Sequence, residues 1–155
     1  MSEEVADPEL GRKTVDANLY MTLATADAHG RPWASPVWYA HDGYADFYWV
    51  SRPDARHSRN IASRSEISIV IFDSTVPVGG AKSVYLEAAA GEVAGGELEH
   101  GIEVFSRRSE ATGAGEWRTS DVLTPAPHRL FRASASEYFV LVGDDRRIPV
   151  RLAGG

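Results

Sequence analysis

Residues Asp46–Arg64 read DFYWVSRPDARHSRNIASR, and this stretch decides the fold. Phe47-Tyr48-Trp49-Val50 is an apolar strand. It breaks at Ser51-Arg52-Pro53-Asp54 and continues as a short helix from Ala55, with Asp54 the predicted N-cap and Pro53 blocking any backward extension. Ala55, Ser58, Ile61 and Ala62 fall on one helical face, and Arg56, Arg59 and Asn60 mostly on the other. A strand feeding a helix N-terminus presents free backbone N–H groups and the positive end of a helix dipole. Ser51 adds a hydroxyl there, and Arg52, Arg56 and His57 add cationic or hydrogen-bonding groups. The set suits a phosphate. Taken alone, it equally describes a solvated basic surface helix.

The rest of the chain frames that choice. Its 155 residues predict one domain with a real core, and 43% hydrophobic and 25% charged residues are ordinary for a soluble globular protein. A net charge of −6 argues against a general nucleic-acid binder and makes the four arginines against one aspartate in residues 51–64 informative. The absence of cysteine excludes disulfides, thiolate catalysis and cysteine-ligated metals, and the five histidines show no metal-ligand spacing. The acidic N-terminus carries no secretory signal and no apolar run approaches spanning length, so a cytoplasmic protein away from membranes is expected.

In order, residues 1–10 read as a flexible tail, with Pro8 able to start a helix towards Leu19. Leu19–Ala26 alternates as a strand with Leu19, Met21 and Leu23 on one face. Trp33–Ala40 is a second strand, turned by His41-Asp42-Gly43 into Phe47–Ser51. Glu66–Asp73 reads as a strand covered on both sides, and Ser83–Val93 as one with Val84, Leu86 and Ala88 inward. Leu98, Ile102 and Phe105 mark an amphipathic helix to about Arg108, weakened by Gly101. Residues 110–127 are loop-rich around Trp117. Arg129–Val142 is a long strand bulged near Ser134–Ser136, and Arg147–Leu152 is a last short one. The pattern predicts a mainly β, six- to seven-stranded antiparallel barrel with inserted helices.

This order of strand, His-Gly-Arg-Pro turn, Trp33-Ala34-Ser35-Pro36-Val37-Trp38-Tyr39, Phe47–Ser51 and Arg52–Ile61 resembles the pyridoxamine 5′-phosphate oxidase-like family, the flavin-binding split barrels. The resemblance covers roughly residues 15–142 and is most specific over Trp33–Phe72. It implies a homodimer that binds FMN, or a deazaflavin in some branches, in a groove at the dimer interface. It implies that Ser51, Arg52, Arg56 and His57 hold the phosphate, with Val50 beside them. His57 stands where many relatives have lysine, and Ser35 where classical oxidases have a phosphate-binding arginine. Ser35, Pro36, Val37 and Trp38 would run along the isoalloxazine ring. Lys82 and Ser83 would approach the ring or ribityl chain, and Trp117 would cap the flavin or complete the dimer. Pro36 also removes a ladder donor, as suits a strand edge beside a ligand slot.

Genuine pyridoxamine phosphate oxidases carry an Arg-x-His pair near the C-terminus; here no histidine follows His128. The expected function is therefore an FMN-dependent oxidoreductase with a different small-molecule substrate. A deazaflavin-dependent reductase and a non-catalytic flavin-binding or sensing module stand as alternatives. The cofactor carries the chemistry, so no catalytic side chain is named.

Overall fold

One residue, Tyr39, separates strands that lie at opposite edges of one sheet. In the computed structural model, which describes residues 6–154, α1 (Pro8–Ala17) precedes β1 (Tyr20–Ala26), β2 (Pro32–Trp38), β3 (Ala40–Asp42) and β4 (Asp46–Ser51). Then come α2 (Arg56–Ser63), β5 (Glu66–Phe72), β6 (Ser83–Glu92), α3 (Leu98–Ala111), β7 (Arg129–Val142) and β8 (Arg146–Pro149). The sheet order is β2-β1-β5-β6-β7-β4-β3, with β8 beside β7 and all pairs antiparallel. Since β2 and β3 end that order yet adjoin in sequence, the sheet curls until its edges meet. β2 and β4 touch there without a hydrogen-bonded ladder, which makes the barrel a split one.

Alternation fills the interior. Met21, Leu23, Ile67, Ile69, Ile71, Val84, Leu86, Phe47, Trp49, Phe131 and Ala133 point inward and form one buried cluster. Each such large side chain contributes roughly 1.5–3 kcal/mol on burial. Val15 of α1 and Ile61 of α2 pack into this cluster from the helices. A second cluster lies outside the barrel, where Leu98, Ile102 and Phe105 of α3 cover Tyr48 and Leu130. Among the described residues no helix covers the outer face of β1, β2, β5 and β6, where Arg147 of β8 lies over the Tyr85 ring.

Several expectations change. Trp33–Ala40 is not one strand: it breaks at Tyr39, whose hydroxyl bonds the Val15 carbonyl. The described residues thus hold eight strands. Residues 6–10 are not a tail, because Ala6 bonds Pro149, Asp7 caps α1 and Pro8 starts it; residues 1–5 lie outside the described residues. Leu19 precedes β1 and is 44% exposed. β5 is covered on one face only: Val70 is half-buried and Phe72 is 44% exposed. β8 stops at Pro149. On α2, Ser58, Asn60 and Ile61 are the buried residues, Asn60 donating to Thr25 Oγ1 at 3.0 Å, while Ala62 is exposed. The β7 bulge falls as expected, with a register shift opposite Glu87/Ala88.

Gly101 does more than weaken α3. A Cβ there would stand 2.9 Å from both Tyr48 Cε1 and Leu130 Cδ2, so its absence lets the helix sit on β4 and β7. Gly101→Val is expected to cost about 2 kcal/mol, since overpacking of ~1–3 kcal/mol exceeds the smaller helix-propensity gain. Urea unfolding checks this; unchanged stability would mean that Tyr48 yields.

Candidate functional site

β4 ends at Ser51, and the next four residues turn the chain into α2. The Ala55 N–H donates to the Arg52 carbonyl at 3.2 Å, and Arg52 Nε meets Asp54 Oδ1 at 3.3 Å, both side chains exposed. Asp54 is therefore not the N-cap. Ala55 occupies that position without a side-chain cap, and α2 starts at Arg56, one residue later than expected. The first-turn N–H groups lack a capping oxygen as a result.

The turn brings together two residues six apart. Ser51 Oγ and His57 Nε2 lie 2.8 Å apart, a hydrogen bond whose donor follows the imidazole tautomer. Burial pushes the His57 imidazole below its ordinary value, favouring the neutral ring. The pair edges a cleft of about 370 Å³ lined also by Pro36, Val37 and Trp38 of β2, Val50 of β4, Phe105 of α3, Trp117 and His128. Among the described residues no carboxylate lines it.

Aromatic rings form one wall. Trp38 and Phe105 meet edge-to-face with centroids 4.8 Å apart, and Phe105 and Trp117 at 5.5 Å. The Trp117 backbone N–H donates to Ser106 Oγ at 2.8 Å, which ties the 110–127 loop to α3. Arg129 donates to the Ala126 and His128 carbonyls and to Thr124 Oγ1, fixing the segment that carries His128. β2 pairs with β1 on one side only, and among the described residues no strand forms a ladder with its other edge, which faces β4 at the split.

Seven of the predicted residues meet in the cleft: Pro36, Val37, Trp38, Val50, Ser51, His57 and Trp117. Ser35 is half-buried on β2 opposite Leu23, outside the lining. Arg52 is tied to Asp54, and the Arg56 guanidinium lies 4.2 Å above the Trp33 ring. Lys82 and Ser83 do not line this cleft. Ser51 pairs with Arg129 and Val84 with Val140, eleven residues apart along β7. By the shorter way round the sheet, the row Pro36, Thr22, Val70 and Tyr85 sets Ser83 three strands from β2, on the order of 15 Å from the cleft at about 4.8 Å per strand. Lys82 and Ser83 instead line a larger groove of about 710 Å³ with Leu10, Thr14, Asp144 and Ile148. Size does not make that groove the better slot for a flat ring: it contains no aromatic side chain and no histidine.

Phe105 and His128 were not expected in the site. Phe105 carries only the signal of a buried helix residue. His128 has no local signal, because its place depends on Arg129 and on the distant β2 and α3.

A family model described as pyridoxamine 5′-phosphate oxidase matches residues 8–140. No curated protein matches the chain. A heme-binding protein from Mycobacterium smegmatis superposes with a TM-score of 0.73 at 22% identity, over 96% of this chain. The chain spans only 59% of that protein's length. The heme storage protein HutZ from Vibrio cholerae superposes with a TM-score of 0.69 at 22% identity, over 88% of this chain and 95% of its own. A FAD-binding protein from Mesorhizobium loti gives 0.62 and 22%, over 88% and 93%. At these identities the likeness establishes the split-barrel fold. With the family match covering most of the sequence, the chain belongs to the pyridoxamine 5′-phosphate oxidase family.

Proposed function

We propose that the protein is an FMN-binding oxidoreductase that acts on a small molecule as a homodimer. The observation that carries this reading is the Ser51–His57 pair at the end of an aromatic-walled, carboxylate-free slot beside the unpaired edge of β2. The donor set fits the cofactor. Trp38, Phe105 and Trp117 offer apolar surface to a flat ring, and the unpaired edge of β2 suits a polar ring edge. Ser51, His57 and the uncapped start of α2 suit a phosphate. FMN, when bound, supplies hydride and electron transfer. The residues of this chain bind and orient it and keep water from one ring face.

A deazaflavin would use the same slot. Haem is a second reading, supported by the two imidazoles, His57 and His128, that face the slot and by the heme-binding structural relatives. The absorption spectrum of natively purified protein separates the three, since flavin, deazaflavin and haem each absorb differently. A haem spectrum without flavin would replace the FMN reading.

The homodimer rests on the bare outer face of the sheet. Tyr20 is 60% exposed there, with Ala24, Ala34, Pro36, Val70, Phe72 and Tyr85 around it. A patch of this kind on a small domain marks an interface. Pro36 belongs both to this face and to the cleft, so a second copy would border the cofactor.

Arg56 begins α2, whereas Arg59 sits a turn further on. Arg56→Ala is expected to weaken FMN binding about tenfold, the value of one charged hydrogen bond. Arg59→Ala should cost less than about threefold, as for a surface charge. Parallel FMN titrations decide; a larger Arg59 effect would move the phosphate away from the start of α2.

A further inference from the structure

The residue that stands in place of the common lysine has properties a lysine lacks. Its imidazole is half-buried, bonded through Nε2 to Ser51 Oγ at 2.8 Å, and faces a slot lined by Pro36, Val37, Trp38, Val50, Phe105, Trp117 and His128. The charged and titratable groups around it are few. β2 and α3 contribute no ionisable group to the slot, and β4 offers only the Ser51 hydroxyl. His128 enters from the segment before β7, and Arg129 of β7, paired across the ladder with Ser51, donates its guanidinium to the Ala126 and His128 carbonyls and to Thr124 Oγ1. Glu116 beside Trp117 is paired with Arg118 at 3.5 Å. On the turn and on α2 itself stand Arg52 and Asp54, bound to each other, then Arg56 over Trp33, and Arg59. Among the described residues no carboxylate in the slot is placed to hold an imidazolium.

From this geometry we infer that His57 is a proton-coupled phosphate receptor: it is neutral in the empty slot and captures a proton from solvent when a phosphate monoester docks against Ser51 and His57. The inference rests on the phosphate reading above and adds the proton to it. Burial already depresses imidazole ionisation in the free protein. A phosphate carrying nearly two negative charges at neutral pH supplies the missing counter-charge and raises it. The sign follows. Between the depressed value of the free protein and the raised value of the complex, binding takes up a proton, so affinity falls as pH rises through that window. A lysine would be charged on both sides of the equilibrium and would take up nothing.

Calorimetry tests this by titrating FMN and riboflavin at about pH 7, just above the ordinary imidazole value near 6.5. Buffers of different ionisation enthalpy yield the number of protons exchanged. Wild type is expected to take up roughly half to one proton with FMN and none with riboflavin. His57→Gln keeps a hydrogen-bonding group for Ser51 and should take up none with FMN. His57→Lys should take up none while still preferring FMN. Riboflavin binding reports whether each variant is folded, and the nitrogen NMR shifts of the wild-type imidazole show its protonation directly. If FMN binds more tightly than riboflavin without proton uptake, or if His57→Gln takes up as much as wild type, the inference is overturned and the phosphate reading stands. Equal binding of FMN and riboflavin overturns both.

Discussion

FMN is expected to bind about a hundredfold more tightly than riboflavin. The two ligands share the ring and ribityl chain and differ only in the terminal phosphate. Ser51 and His57 are already in mutual contact at the slot, so they need little rearrangement to receive it. A hydrogen bond to a charged group is worth roughly 1.5–3 kcal/mol, and about 1.4 kcal/mol is tenfold in affinity. One such bond from the Ser51–His57 pair at the low end of that range, together with the tenfold expected of Arg56, accounts for the hundredfold. Raised salt should reduce the arginine share first, because that side chain stands in solvent. Fluorescence titrations of both ligands in one buffer measure the ratio. Equal affinities would remove the phosphate from this site, whatever the fate of the ring assignment.

Val70→Glu is expected to weaken self-association by more than about a hundredfold while leaving the protomer folded. Val70 sits mid-strand on β5, opposite Thr22 of β1 and Tyr85 of β6, at the centre of the bare face. It is half-buried in the protomer and points away from the interior cluster, so the effect on folding should stay within about 0.5 kcal/mol, as at an ordinary surface site. In a two-fold interface each copy would contribute one buried, unpaired carboxylate, and each costs several kcal/mol. Light scattering at micromolar protein reports the assembly, and thermal unfolding reports the fold. Flavin affinity should fall in parallel, because Pro36 links this face to the cleft. A Val70→Glu protein that stays dimeric would put the interface elsewhere. A wild-type monomer that binds flavin one to one would remove the partner from the site.

The local features of the site were legible because they depend on neighbours in sequence. Phe47–Ser51 forms a strand, and Pro53 and Asp54 interrupt it before α2. Even so, the start of α2 was misplaced by one residue. Asp54 had two partners of similar strength, the helix N–H groups and Arg52, and propensity cannot rank them. The break at Tyr39 was hidden for a related reason. Trp33–Ala40 is uniformly strand-forming, and only closure of the barrel, with the Tyr39 hydroxyl reaching α1, forces the chain from one sheet edge to the other. Nor could apolar alternation on β5 distinguish a face buried in the protomer from one left bare. Val70 and Phe72 look the same in either case.

By itself, the amino-acid sequence determined the strand alternation and the strand-to-helix junction, and it singled out Pro36, Val37, Trp38, Ser51 and His57 of the cleft lining. These follow from side-chain chemistry and backbone preferences over a few residues. Only the tertiary structure decided that β2 and β4 stand together at the split. It also decided that Phe105 and His128 complete the slot, and that Lys82 and Ser83 line a different groove. Those placements depend on how an eight-stranded sheet closes and on which strands pair across long stretches of chain, a choice made by the packing of the whole core.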